Sequence, residues 1–156
     1  MRKILKTHKK EEQQIITEYQ RLQTLNLKHI TKLYDCYLTD NNCYLVSEYF
    51  PEGSLEDKSK WSVHYSGSQI RYLAFQLFGV IKYLNQKNIM HTDIKPKNIV
   101  INETIKNNKE EDIYNIKLSE FSSYDDVNSN NRNSLTYYTT PEIFDKKYDS
   151  TCDVFL

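Results

Sequence analysis

Apolar residues at Ile15, Tyr19, Leu22 and Leu25 recur at helical spacing among Glu, Gln and Arg, and predict an amphipathic helix from Glu11 to Leu25. Two short runs rich in Tyr and Val, Ile30 to Leu38 and Cys43 to Phe50, flank the polar Thr39-Asp-Asn-Asn42 and predict a β-hairpin. Pro51-Glu-Gly53 ends the second run, because proline offers no N–H to a ladder and glycine loosens the backbone. A division of the chain into residues 1–50 and 51–156 is placed there. A second helix is predicted from Ser66 or Ser68, where Gln69 completes a capping box with Ser66, and its apolar stripe is Ile70, Leu73, Ala74, Leu77, Ile81 and Leu84. Ile89-Met90, Ile99 to Ile101 and Ile113 to Leu118 then read as short strands, separated by polar loops at 91–98 and 102–112. Ser122 to Ser134 holds too little apolar material to order itself, so a mobile loop is expected there.

The composition narrows the function classes. With 38% hydrophobic and 13% aromatic residues, 156 residues suffice for one modest core. The 21 basic residues cancel the 21 acidic ones, which leaves no global field for nucleic acid or an anionic membrane surface. Cys36, Cys43 and Cys152 form no CxxC pair and have no histidine pair nearby, so neither a disulfide framework nor a zinc site is expected. The basic start at Met1 to Lys10 is followed by Glu11 and Glu12 rather than an apolar run, and no stretch is long enough to span a bilayer. A soluble, cytoplasmic protein is the expectation.

The chemistry is concentrated in His91-Thr-Asp-Ile-Lys-Pro-Lys-Asn98, a carboxylate, a cation and an amide within one tight loop after a long amphipathic helix. Such a set can orient a substrate and neutralise charge that develops in a reaction. The same residue types also cap ordinary turns. The segment resembles the catalytic loop of protein kinases, H-R-D-x-K-P-x-N. The resemblance implies that Asp93 accepts the substrate hydroxyl's proton, Lys95 steadies the transferred phosphoryl and Asn98 holds magnesium. It also implies an α+β fold with two lobes, ATP with Mg or Mn as cofactors, and a protein substrate.

Other segments fall in kinase order. Lys3 stands where the family places its strand lysine and Glu18 where it places that lysine's ion-pair partner. Leu45-Val-Ser-Glu-Tyr-Phe-Pro-Glu-Gly53 resembles the strand and hinge that hold adenine, which implies hinge contacts at Glu48 and Phe50 and a small gatekeeper at Ser47. Asn115-Ile-Lys-Leu-Ser-Glu-Phe-Ser122 occupies the place of D-F-G, with Glu120 as the second metal ligand, and Thr140-Pro-Glu142 the place of A-P-E. Tyr137 to Glu142 and Tyr148 to Asp153 most resemble the calcium-dependent and calcium/calmodulin-dependent serine/threonine kinases, in which Asp153 would open a helix bracing the catalytic loop.

Departures from the pattern are specific. Thr92 replaces the arginine that anchors a phosphorylated loop, Glu120 replaces aspartate with a longer carboxylate at a site where magnesium tolerates little displacement, and Ser122 replaces a glycine that can take positive φ. No glycine-rich phosphate loop precedes Lys3, no late helices follow Leu156 and no calcium-loop motif is present, so the fold is expected to be incomplete at both ends. Three readings result: a segment of an ATP-dependent serine/threonine kinase, a pseudokinase that binds or scaffolds without efficient transfer, and a truncated remnant.

Overall fold

The computed structural model describes residues 2–5 (by backbone), 16, 17, 19, 20, 22–40, 42–59, 64–121 and 153. Strand β1 (Arg2–Leu5) pairs antiparallel with β3 (Asn42–Ser47), whose other edge pairs antiparallel with β2 (Leu33–Leu38). The sheet order is therefore β1-β3-β2, with Lys3 opposite Tyr44. Residues 16, 17, 19, 20, 22 and 23 are helical, within the span predicted from the first apolar stripe. The hairpin turn closes where the Thr39 N–H donates to the Asn42 carbonyl at 2.8 Å.

Both hairpin strands are shorter than the apolar runs that predicted them. Ile30 leaves the sheet to form an isolated parallel bridge with Leu118, nearly ninety positions away along the chain. The Leu118 N–H donates to the His29 carbonyl at 2.8 Å, the Thr31 N–H donates to the Leu118 carbonyl at 2.9 Å, and His29 Nδ1 lies 2.9 Å from the Ile116 carbonyl. These contacts pin residues 29–31 to the second half of the chain.

After Pro51 the chain turns through Gly53, whose φ of +75° lies in the left-handed region. A Cβ there would stand 2.9 Å from Asp57 Oδ2, so the turn excludes side chains on steric as well as torsional grounds. A short helix α1 (Leu55–Ser59), unmarked in the sequence pattern, follows. Its first turn is held by Asp57 Oδ2, which accepts from both the Ser54 N–H and the Ser54 hydroxyl.

Helix α2 (Gly67–Gln86) begins as predicted, with Ser66 at the N-cap and the reciprocal Ser66–Gln69 bonds of a capping box. Its buried face is Gln69, Leu73, Gln76, Val80, Ile81 and Leu84, whereas Ile70 is 55% exposed. The stripe is thus rotated from the apolar one, for a physical reason. The helix packs against the free edge of a strand whose backbone groups need partners, and two glutamines supply them. Gln76 Nε2 donates to the Tyr114 carbonyl at 2.9 Å while its Oε1 accepts the Ile116 N–H at 3.0 Å, and Gln69 Nε2 donates to the Asp112 carbonyl. An unpaired buried backbone group costs about 1–3 kcal/mol. Gln76→Leu, which fills the same space and makes neither bond, is expected to lower stability by at least about 2 kcal/mol in urea denaturation.

Strands β4 (Ile99–Lys106) and β5 (Asp112–Leu118) form an antiparallel hairpin with an irregularity between Ile101 and Glu103. β4 runs five residues past the predicted end at Ile101, because Thr104 and Ile105 continue the ladder on a half-exposed surface. The loop contracts to 107–111, where Asn107 Oδ1 accepts the N–H groups of Lys109 and Glu111. Ile89 and Met90, predicted as a strand, are not in one. The core lies between α2 and this hairpin, around the nearly or fully buried Val80, Leu84, Ile101, Ile116 and Leu118. Phe75 and Phe78 on α2, and Tyr34 and Tyr37 on β2, remain exposed, so apolar faces of the second helix and the first hairpin meet solvent. Among the described residues no helix is long and apolar enough to cross a membrane. The expected loop at 122–134 and the segment from Tyr137 to Tyr148 lie outside the described residues.

Candidate active site

His91 enters the core directly after α2 and is fully buried. Its Nε2 bonds the Ser119 carbonyl at 3.0 Å and its Nδ1 accepts the Asp93 N–H at 3.3 Å, a pair that requires the neutral Nε2–H tautomer. Phe121 packs against the ring, with centroids 4.4 Å apart. Burial holds the imidazole below its usual pKa range, against the opposing pull of Asp153. Above the unfolded value of about 6.5, His91 is neutral in both states and pH does not affect its contribution. Below it only the unfolded chain takes up the proton, so stability falls as pH drops. The thermal midpoint is expected to decline from pH 7.5 to 5.5, and His91→Gln is expected to flatten that slope while lowering the midpoint at pH 7.5.

Asp153 fixes the loop from the other side. Its two carboxylate oxygens accept the backbone N–H groups of His91 and Thr92, both at 2.7 Å, and Asp153 is itself 2% exposed. Thr92 has a φ of +65°, which a β-branched residue rarely adopts, and its hydroxyl is buried with no partner among the described residues. The left-handed turn at Thr92 reverses the chain so that Asp93 points out of the core, and the two bonds from Asp153 hold this strained conformation.

Asp93, Lys95 and Asn98, the three loop residues nominated from sequence, come together. Lys95 Nζ lies 2.8 Å from Asp93 Oδ2, and Asn98 Nδ2 donates at 2.8 Å both to that oxygen and to the Asp93 carbonyl. Pro96 starts the 3-10 turn Pro96–Asn98 that places the asparagine, which is fully buried. Because the amide nitrogen is engaged, Oδ1 of Asn98 faces the other way, and it is buried without a partner among the described residues. A hard oxygen left unpaired in this position fits a divalent cation, so the residues present suit magnesium or manganese. The Asn98 carbonyl accepts from both the N–H and the hydroxyl of Ser119, which ties the loop to the residue before Glu120. Glu120, the residue after Ser119, is exposed and has a φ of +55°, and its side chain is one methylene longer than aspartate's. Ser119 and Asp153 supply most of this scaffold. Nothing in local spacing singles out Ser119, and Asp153 is signalled only by the family resemblance.

The proposed hinge residues lie at the end of β3. Ser47 is half-buried and its hydroxyl bonds the Glu48 carbonyl at 3.4 Å. The Phe50 carbonyl accepts from Gly53 at 3.2 Å. Lys117 Nζ lies 2.6 Å from both oxygens of the Glu48 carboxylate and 5.9 Å from the Phe50 ring centre. Glu48 Oε2 also accepts the Lys32 N–H at 3.3 Å. This partly buried ion pair connects the hinge to the strand that leads into Glu120, a contact between residues 69 apart that no local pattern signals. The backbone of Lys3 lies in β1 on the same sheet. Its side chain, and Glu18 altogether, fall outside the described residues.

The protein kinase domain family model matches residues 1–156, and the chain belongs to that family. It is 30% identical over 158 aligned residues to calcium-dependent protein kinase 6 of Plasmodium berghei (strain Anka), which covers 98% of this chain and 10% of that protein. Against calcium-dependent protein kinase 5 of Plasmodium falciparum (isolate 3D7) the identity is 32%, over 86% of this chain and 23% of the relative. The chain therefore spans about a tenth to a quarter of these relatives' length. A solved structure of Rad53 residues 1–466 in complex with AMP-PNP matches with a TM-score of 0.76 at 24% identity, over 98% of this chain and 37% of that one, which shows the protein kinase-like α+β fold.

Proposed function

We propose that this chain forms the catalytic centre of an ATP-dependent serine/threonine protein kinase, with Asp93 as the general base. The observation that carries the reading is the joint arrangement of Asp93, Lys95 and Asn98, with a buried oxygen on the asparagine that has no partner among the described residues. Among the described residues both contacts to the Asp93 carboxylate fall on Oδ2, so Oδ1 is the oxygen placed to accept a substrate hydroxyl's proton. Lys95 lies beside that carboxylate, where its charge would steady a transferred phosphoryl group. Asn98 Oδ1 and the Glu120 carboxylate would hold the metal, which supplies charge neutralisation on the phosphates when bound. Glu48 and Phe50 would seat adenine through backbone groups with Ser47 as a small gatekeeper behind it, and Lys3 with Glu18 would grip the phosphates.

The test is transfer of label from γ-labelled ATP, with magnesium or manganese, to a general protein substrate by the protein that carries this chain. Label no higher than that given by Asp93→Asn would sink the proposal. One observation favours a second reading, a pseudokinase that binds nucleotide without efficient transfer: the ligand position at Glu120 is occupied by an exposed, longer carboxylate. Glu120→Asp separates the two. If the centre is catalytic and limited by metal fit, that variant is expected to reach half-maximal transfer at a several-fold lower magnesium concentration. If the protein is a binding module, nucleotide binding persists and neither form transfers.

A further inference from the structure

Cys36 and Cys43 take no part in the site above, yet the sheet brings them together. In the β2–β3 register Cys36 lies opposite Leu45 and Cys43 opposite Leu38, so the two cysteines stand diagonally on one face of the hairpin. Their sulfurs are 3.3 Å apart, and both residues are in the reduced state. A disulfide needs a separation of about 2.05 Å, a little over an ångström less than this contact. Exposure is unequal: Cys36 is half-buried and Cys43 fully buried.

We propose that Cys36 and Cys43 form a reversible intramolecular disulfide, a redox modification site on the hairpin that leads into the hinge. The oxidant is a peroxide. The Cys36 thiolate, the more accessible of the two, attacks one peroxide oxygen, the O–O bond breaks, and Cys36 becomes a sulfenic acid as hydroxide leaves and takes up a proton. The Cys43 sulfur then attacks the Cys36 sulfur, the S–O bond breaks and water leaves with the thiol's proton. In sum two thiols lose two electrons, and hydrogen peroxide is reduced to two waters. Cys43 suits the resolving role, since a buried thiol at contact distance needs no exposure to solvent to reach its partner. Pairing set by strand register also explains why the spacing of the cysteines does not reveal it. In a reducing compartment such a bond is transient and regulatory rather than structural.

The experiment treats the native protein that carries this chain with hydrogen peroxide, blocks remaining thiols with an alkylating agent after denaturation, and maps the peptides by mass spectrometry. The expected result is joint loss of the Cys36 and Cys43 thiols in one cross-linked peptide lighter by two hydrogens. Cys152 stays open to alkylation, the cross-link is unchanged in Cys152→Ser, and dithiothreitol reverses it. In Cys36→Ser the Cys43 thiol is expected to survive the same treatment. Accumulation of Cys36 sulfinic acid beside an intact Cys43 thiol would overturn the proposal, as would a bond from either residue to Cys152 or a cross-link that forms only in urea.

Discussion

Asp153→Ala is expected to lower stability more than any other single change among the described residues, by about 3–5 kcal/mol in urea denaturation. The carboxylate accepts two backbone N–H groups at 2.7 Å, both inside the loop that carries Asp93. Each hydrogen bond to a charged group contributes about 1.5–3 kcal/mol, and each N–H left buried and unpaired adds its own desolvation cost. Relief from burying the carboxylate offsets part of the loss. A loop that is released no longer has to keep Thr92 at positive φ, so the strained turn relaxes and Asp93 loses its orientation. Total stabilities of about 5–15 kcal/mol make such a loss large enough to unfold a marginal protein. Asp153→Asn is expected to fall between the two, because its amide oxygen can replace only one of the two accepted bonds. An Asp153→Ala protein as stable as the parent would show that the loop is held by something else.

Asp93→Asn is expected to reduce phosphate transfer by about 10²–10⁴-fold, the range typical of a lost general base, with nucleotide affinity nearly unchanged. The substitution keeps the side chain's size and an oxygen for Asn98 to donate to, so the loop geometry survives. It removes the charge that pairs with Lys95 and the basicity that would draw a proton from a substrate hydroxyl. Single-turnover transfer and nucleotide titration, measured on the same preparations, separate these effects. A parallel loss of nucleotide binding would mean that Asp93 acts by positioning rather than as a base.

How far the sequence reveals the molecule differs from element to element. The start of α2 is legible because Ser66 and Gln69 complete a local, reciprocal bond pattern that depends on nothing distant. The catalytic loop is legible for a similar reason, since Asp93, Lys95 and Asn98 act on one another across a few residues. The inward face of α2 is legible only in part: Leu73, Ile81 and Leu84 are buried as the periodicity predicts, but Gln69, Gln76 and Val80 join them and Ile70 does not. Periodicity counts apolar residues, and the strand edge it meets required amides at positions 69 and 76 instead. The hinge ion pair and the bonds from Asp153 join residues more than sixty positions apart, and only the folded chain selects one partner among many of the same type. The full length of β4 is not legible, because an irregularity after Ile101 breaks the alternation that marks a strand.

The attachment of residues 29–31 to β5, reinforced by Glu48 and Lys117, bears on how a nucleotide cleft in this fold can open. The covalent crossing lies at Pro51, but the segment before β2 is already fastened to the other side. Any swing of the three-stranded sheet therefore pivots on this fastening, and displacement grows with the length of the lever arm. Glu48 sits beside that fulcrum and would move little, while β1, on the far side of β3 from β2, would travel furthest. Lys3 lies on that outermost strand, the one furthest from the fastening.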